Sequence, residues 1–372
     1  MATPQLSPGV LVREVDLTVG RADNVLDNIG AIAGPFSIGP VEEATNIVTE
    51  QQLINTFGKP ISTDAQYEYW LSASSYLSYG GVLKVVRVDG TTLNNANAAV
   101  GYAATTSLKI KNYDDYQANW DGESVEYVYG SKNPGTWANN LKVCFIDDFA
   151  DQTIGIATTN VSAWAQVGYG VTKALNQAIP GIGTTAAFTG YLKGIVTGVT
   201  TDSTNSVSSV NVKVTSRVSS AGTETNISYA EGATEAAFQK SDTIYFKTNA
   251  GVSTGPTGAN ATAGTSAVTV EDWYDNQTLG LTNSLVYWKS LAPKPITNSY
   301  VADRSGYNDA INIAVVDDLG TVTGIQGQLL EKHVSISKAG DAISGSNAPQ
   351  KIYYKNYLAD YSDYLYAGYN PS

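Results

Sequence analysis

The sequence predicts an α+β protein: a mixed β-sheet core domain with flanking helices, an inserted β-rich domain of barrel-like or sandwich-like type, and an extended N-terminal arm. Three observations carry this expectation. Short runs rich in Val, Ile, Thr and Tyr, cut by Gly, Asn and Asp, recur along the chain and mark strands joined by turns. Helical spacing is confined to a few stretches that sit between such runs. The first strand-like run is separated from everything else by a polar segment. The expected division is 1–28 as arm and tether, 29–182 as the first part of the core, 183–264 as the inserted β-domain and 265–372 as the second part of the core.

The arm opens with Ser7-Pro8-Gly9, a turn signal, and runs on through β-branched Val10, Val12 and Val15. In an extended chain Leu11, Arg13, Val15 and Leu17 share one side, and Val10, Val12, Glu14 and Asp16 the other. Both faces are half apolar, so neither is a clean solvent face. Val19 to Asn28, with Gly20, Arg21, Asp23, Asn24 and Asp27, reads as a tether. A strand on a tether must find a sheet edge, because unpaired backbone groups invite pairing. That edge can belong to its own domain or to another chain.

The core elements follow. Ile29 to Ile38 reads as a strand region broken at Gly34-Pro35, and Thr49 with Gln52 as a capping box for a short helix through Leu53, Ile54 and Phe57 that stops at Gly58. A second box, Thr63 with Gln66, opens a longer helix whose stripe is Tyr69, Ala73, Tyr76 and Leu77 and whose stop is Gly80-Gly81. Val82 to Val88 is a central strand, and strand, helix, strand over this length makes a helix-covered sheet. Asn94, Asn95 and Asn97 are expected on a short helix, Ser107 to Lys111 and Ser124 to Tyr129 as strands, Asn133 to Asn140 as a loop and Leu141 to Asp147 as a strand. Ala163 to Ala178 is a weak helix candidate.

Phe188 to Thr200 and Val207 to Val218 form two long strands around the turn Thr201 to Asn205, with further strands at Asn226 to Tyr229 and Thr243 to Thr248 and a flexible loop over Gly251 to Thr265. Ala310 to Val316 resumes the core. Tyr354, Tyr357, Tyr361 and Tyr364 lie at helical spacing and read as core packing.

Composition narrows the chemistry. A net charge of −12 over 372 residues argues against a nucleic-acid surface, which needs clustered Lys and Arg. Cys144 is the sole cysteine and His333 the sole histidine, which excludes an intrachain disulfide and a conventional zinc site, and leaves one candidate base for any Ser-His or Cys-His system. Cys144, inside Leu141 to Ile146, reads as a buried inert thiol, and His333 as an exposed or partly satisfied strand residue. The pairs Asp114-Asp115, Asp147-Asp148 and Asp317-Asp318 are adjacent residues that point to opposite faces of a strand, so they read as solvated turn residues and not as acid/base pairs. There is no phosphate-binding Gly-x-x-x-x-Gly-Lys-Ser/Thr loop. The expectation is no catalytic, cofactor or metal site. The start of the chain carries no basic, apolar leader, and a cytosolic folding compartment is expected.

Five stretches together resemble one family. They are Ser7-Pro8-Gly9-Val10-Leu11-Val12-Arg13-Glu14; Ala31 to Val41, with Gly34-Pro35 and Gly39-Pro40; Val82 to Val88; Asn133-Pro134-Gly135-Thr136-Trp137-Ala138-Asn139-Asn140-Leu141; and Ile313 to Gly324, running into Leu330-Glu331-Lys332 and Tyr353-Tyr354. In this order they are similar to contractile phage tail sheath proteins of the T-even type. The resemblance implies a structural subunit and not an enzyme. Such subunits stack as hexameric rings around a tail tube, between baseplate and tail terminator proteins, and contract to drive the tube through the host envelope. It implies that Val10, Leu11, Val12, Arg13, Glu14, Val15 and Leu17 join the sheet of a neighbouring copy, that the inserted β-domain faces outward, and that the subunit is assembled in the host cytoplasm and resides in the virion. T-even-type sheath proteins continue past this point into a tube-facing C-terminal domain, so a truncated version is expected. A related contractile injection device, or a β-rich adhesin or carbohydrate-binding module suggested by the Tyr, Trp, Asn and Thr content, are the alternatives.

Overall fold

A computed structural model of the chain describes residues 28–98, 108–121, 127–156, 165–178, 187–219, 221–240, 242–247, 259–262, 270–344 and 349–368. The chain divides into two compact units, residues Met1–Leu93 and Asn94–Ser372.

The first unit is a three-stranded sheet packed on two helices. Strand β1 (Ile29–Gly34) runs parallel to β3 (Val82–Arg87), and β2 (Ala44–Ile47) pairs antiparallel on the other side of β3, giving the order β1-β3-β2. The central position of Val82 onward follows from its apolar run. Helix α1 (Glu50–Phe57) begins at the predicted box: the Thr49 hydroxyl accepts from the Gln52 N–H at 3.1 Å, and the Gln52 side chain accepts from the Val48 N–H at 3.0 Å. It ends at Gly58, whose φ of +87° suits a residue without a side chain.

Helix α2 (Gln66–Leu77) departs from the expected start. Ala65 is its cap, with no side-chain bond, because the Gln66 side chain turns back to donate to the Lys59 carbonyl at 3.0 Å instead of closing a box with Thr63. Its buried stripe is Gln66, Trp70, Ala73 and Leu77. Tyr69, expected inside, is 41% exposed. The larger indole of Trp70 takes the centre and donates to the Gly58 carbonyl, while Tyr69 and Tyr76 lie over Gly34 and Gly30 of β1, where any side chain would collide with their rings. The core joins Phe36, Ile47, Leu53, Phe57, Trp70, Leu83 and Val85.

In the second unit β15 (Ala310–Asp317) is buried along its whole length, between β6 (Leu141–Asp147) and β16 (Gln328–Ser337), both antiparallel to it. The stretch Ile311 to Val316 is accordingly apolar apart from Asn312, whose buried side chain donates to the Pro293 carbonyl at 2.9 Å. A smaller sheet orders β17 (Leu365–Ala367), β5 (Tyr129–Ser131) and β4 (Asn97–Ala98). The expected helix at Asn94 to Asn97 is absent. Asn95 is buried instead, its side chain accepting from the Ile110 N–H and donating to the Ser131 carbonyl, so it spends its amide on the neighbouring strand-like segments. Residues 108–111 lie outside any ladder; of the expected strand Ser124 to Tyr129, residues 124–126 lie outside the described residues and Tyr129 opens β5.

A one-turn helix α3 (Tyr113–Asp115) continues as a π-turn over Tyr116–Trp120 and stacks Tyr116 on Tyr366 at 4.1 Å between ring centroids. A short helix α4 (Ser299–Ala302) precedes β15. Helix α5 (Tyr354–Tyr361) buries Tyr354 and Leu358 against β15, while Tyr361 is 54% exposed and Tyr364 falls beyond the helix. The half-buried Lys132 ammonium donates to the Ala359 and Ser362 carbonyls and so caps the end of α5.

The largest sheet holds β7 (Gln152–Gly155), β8 (Gly170–Ala178), β9 (Ala187–Thr201), β10 (Val207–Ser219), β11 (Glu224–Asn226), β12 (Thr243–Lys247), β13 (Ala259–Thr262) and β14 (Val270–Asp272). Its order is β13-β12-β8-β9-β10-β7-β14, with β11 also on β10. The expected long pair β9–β10 is its centre, antiparallel from Val207↔Thr201 to Ser219↔Gly190. Three corrections follow. The sheet is open: none of the sheets closes into a barrel. The weak helix at Ala163 to Ala178 is a strand from Gly170, because Val171 and Leu175 are held at the sheet's apolar face by a ladder to β9 that local spacing does not reveal. Within the expected flexible loop, residues 259–262 pair with β12, and residues 251–258 lie outside the described residues. The sheet also draws β7, β8 and β14 from either side of 183–264.

Candidate assembly surfaces

The arm residues Val10, Leu11, Val12, Arg13, Glu14, Val15 and Leu17 lie outside the described residues, so the structure contributes the body from which they spring and the edges that body offers. The tether leads directly into β1, an edge strand whose Ile29 is 57% exposed. In the second unit β6 is an edge strand as well. Beside it runs a cavity of about 320 Å³, walled by Leu141, Val143 and Phe145 of β6 and by Ala98, Val128 and Tyr129 from β4 and β5. Lys142 is the one charged residue in that wall, and its ammonium donates to the Gly280 carbonyl. The cavity therefore offers shape and apolar surface, and no carboxylate or histidine lines it for general acid/base chemistry.

The residues singled out for chemistry take structural work. Cys144 is buried, donates from Sγ to the Leu279 carbonyl at 3.2 Å, and has its thiol pushed up to about 11 by burial, so it stays protonated and inert. His333, expected as an exposed or partly satisfied strand residue, lies in β16 and is buried. Its Nε2 lies 3.3 Å from Glu331, and its ring meets Tyr357 edge-on. The same Glu331 accepts from the Ser362 hydroxyl and the Asp363 N–H, so it fastens the end of α5 and has no free oxygen to serve a base.

Of the aspartates expected in solvent, Asp317 and Asp318 are internal, whereas Asp114 is exposed and Asp147 half-buried. Asp317 is fully buried and accepts from the N–H groups of Thr321, Val322 and Thr323 and from the Thr323 hydroxyl, drawing the turn after β15 around one carboxylate. Asp318 accepts from the Thr282 N–H at 2.9 Å and hydroxyl at 2.6 Å. Burial opposes its ionisation, but the two Thr282 bonds and the nearby Lys142 outweigh that and hold it below the ordinary carboxylate range. Asp147 pairs with Lys338 at 3.0 Å. Among the described residues no cluster of His, Cys, Asp or Glu is arranged to hold a metal ion, and no helix is long and apolar enough to cross a membrane.

Sequence reasoning missed Arg87. It is 2% exposed and donates to the carbonyls of Phe36, Ser37 and Gly39 at 2.6, 2.9 and 2.9 Å, which fixes the Gly34-Pro35 to Gly39-Pro40 loop. Burial pulls its guanidinium down to about 10, opposed by Asp89, and it remains charged at neutral pH. The signal was present: a cation closing the apolar run Val82 to Val86.

No family model matches the chain. Two curated proteins do. The tail sheath protein of Enterobacteria phage T4 is 36% identical over 125 residues, and that of Vibrio phage KVP40 is 32% identical over 123 residues. The chain is a relative of T-even-type tail sheath proteins. The matches take in 33% and 32% of this chain and 18% of each relative's own length, so the similarity to these sheath proteins spans a limited part of them. Both relatives carry a structural name.

Proposed function

We propose that this chain is a structural subunit of a contractile bacteriophage tail sheath, a virion component that polymerises with other copies of itself in stacked rings around the tail tube and contracts to drive it through the host envelope. The observation that carries this reading is the pair of sheath relatives, and the five sheath-like stretches agree with it. Assembly in the host cytoplasm, with the tube, baseplate and terminator proteins as further partners, belongs to the same proposal. Residues 183–264, with the strands on either side that share their sheet, form the outward-facing β-domain.

In this reading Val10 to Leu17 is the link between copies. Its two half-apolar faces suit a strand covered on both sides, and main-chain hydrogen bonds supply affinity that survives a change of packing angle between rigid bodies. No nucleotide hydrolysis is needed if the extended lattice is metastable and each subunit contributes a modest difference in interface energy. The test is Val10→Pro with Val12→Pro, which removes backbone donors from the arm. The expected result is a folded subunit by circular dichroism that no longer forms sheath in electron micrographs. Normal sheath from the double variant overturns the role of the arm.

A further inference from the structure

The chain passes from the sheet containing β6 and β15 to the eight-stranded sheet through residues 148–151, and returns at Asp272–Trp273. A crossing built from two short connectors is where neighbouring parts of a fold ordinarily swing. Here it is occupied by two carboxylates and two ammonium groups. Lys213, on β10, pairs with Asp148 and also donates to the Asp148 carbonyl at 3.0 Å. Lys294 comes from the opposite side, where the adjacent Pro293 carbonyl accepts from Asn312 of β15; its ammonium is 2.7 Å from Asp151 and 3.2 Å from Asp148. Lys213 thus lies in the eight-stranded sheet and Lys294 in the segment bonded to β15, and the connector carboxylates hold both.

Asp151 closes the arrangement through its backbone as well. Its second carboxylate oxygen accepts from the Val214 N–H at 2.8 Å, its N–H donates to the Val212 carbonyl, and its carbonyl accepts from the Trp273 N–H at 2.9 Å, which ties the outgoing connector to the returning one. The side chains of Asp151, Asp148, Lys213 and Lys294 are 6, 13, 16 and 22% exposed, and their charges cancel. Phe149, between the two carboxylates, packs on Trp273. A partly buried ion-pair knot adds little stability over apolar packing of the same volume, but it is directional and tolerates few geometries. Its value at this place is therefore orientation.

We propose that the Lys213–Asp148–Asp151–Lys294 knot is a lock that holds the eight-stranded sheet and the β15 sheet at one angle, so that they move as a single rigid lever. The inference stands apart from the sheath reading, since it concerns one unit of one chain. Spin labels at Ser203→Cys, in the β9–β10 turn, and Gln326→Cys, in the β15–β16 turn, in a Cys144→Ala background, report the angle as a distance distribution by double electron–electron resonance. The expected result is one narrow distance in the otherwise unaltered chain, a broadened or second distance in Lys294→Met, and recovery of the narrow one in Lys294→Arg. Asp148→Asn, which neutralises the carboxylate that the two lysines share, is the second variant should Lys294→Met fail to fold by circular dichroism. A folded variant of either kind that keeps the narrow distribution overturns the lock, as does a broad distribution before any lock residue is changed.

Discussion

At the scale of single residues, buried polar groups do the fastening, and each gives a measurable expectation. Replacing Arg87 by Met leaves three inward carbonyls without their donor, and a loss of about 3 kcal/mol in urea-monitored stability is expected. Asp317→Asn keeps the size but replaces one acceptor oxygen with a donor facing N–H groups; a loss of about 2 kcal/mol is expected. Asp318 adds a pH dependence. Because its folded-state ionisation lies below the unfolded value of 3.8, its contribution is fully present above that value and is lost as pH falls through the folded one. Thr282→Val removes the hydroxyl bond and is expected to move the acid-unfolding midpoint to higher pH, followed by circular dichroism. Cys144, with its raised thiol, is expected to resist alkylation until denaturant is added; rapid labelling of the native chain contradicts its burial. The sequence marked Cys144 correctly because an apolar run surrounds it. It misplaced Asp317 and left His333 between exposed and partly satisfied, since whether a polar residue at a strand end or edge is buried depends on which turn or helix folds over it.

At the scale of elements, legibility followed the range of the interactions. The cap at Thr49, the stop at Gly58, the central strand Val82 onward and the buried strand Ala310 onward are set by neighbours within a few residues or by a simple apolar run, and they form as expected. Strand β8 and the start of α2 depend on partners far along the chain: the ladder from Gly170 to Ala178 is made with β9, and the seat of Trp70 is the Gly58 carbonyl. Helix α1 offers a contained test. Thr49→Ala removes the hydroxyl acceptor for the Gln52 N–H and is expected to cost about 1 kcal/mol by chemical denaturation. Gly58→Ala should cost more, because the position is at φ +87° and the added methyl carbon would stand 2.7 Å from the Ser37 hydroxyl.

At the scale of the whole molecule, a set of buried polar side chains holds loops and turns, and among the described strands β1 and β6 lie at sheet edges. The mixed α+β class and the long β9–β10 pair were readable from alternation and turn chemistry; the sheet's extent beyond 183–264 was not, because β7 and β14 are short and take their register from β10 and from each other. The family was readable because its motifs fall at structural joints: the Gly34-Pro35 loop clasped by Arg87, the loop before β6, and the Asp317 turn. The central claim is that residues 10–17 bond to another copy of the chain. Electron cryomicroscopy of assembled tails containing this protein, at a resolution that traces the main chain, tests it most directly. The account predicts Val10 to Leu17 laddered onto a sheet edge of a neighbouring subunit; the same residues laddered into their own subunit, or tails whose sheath lacks this chain, would contradict it.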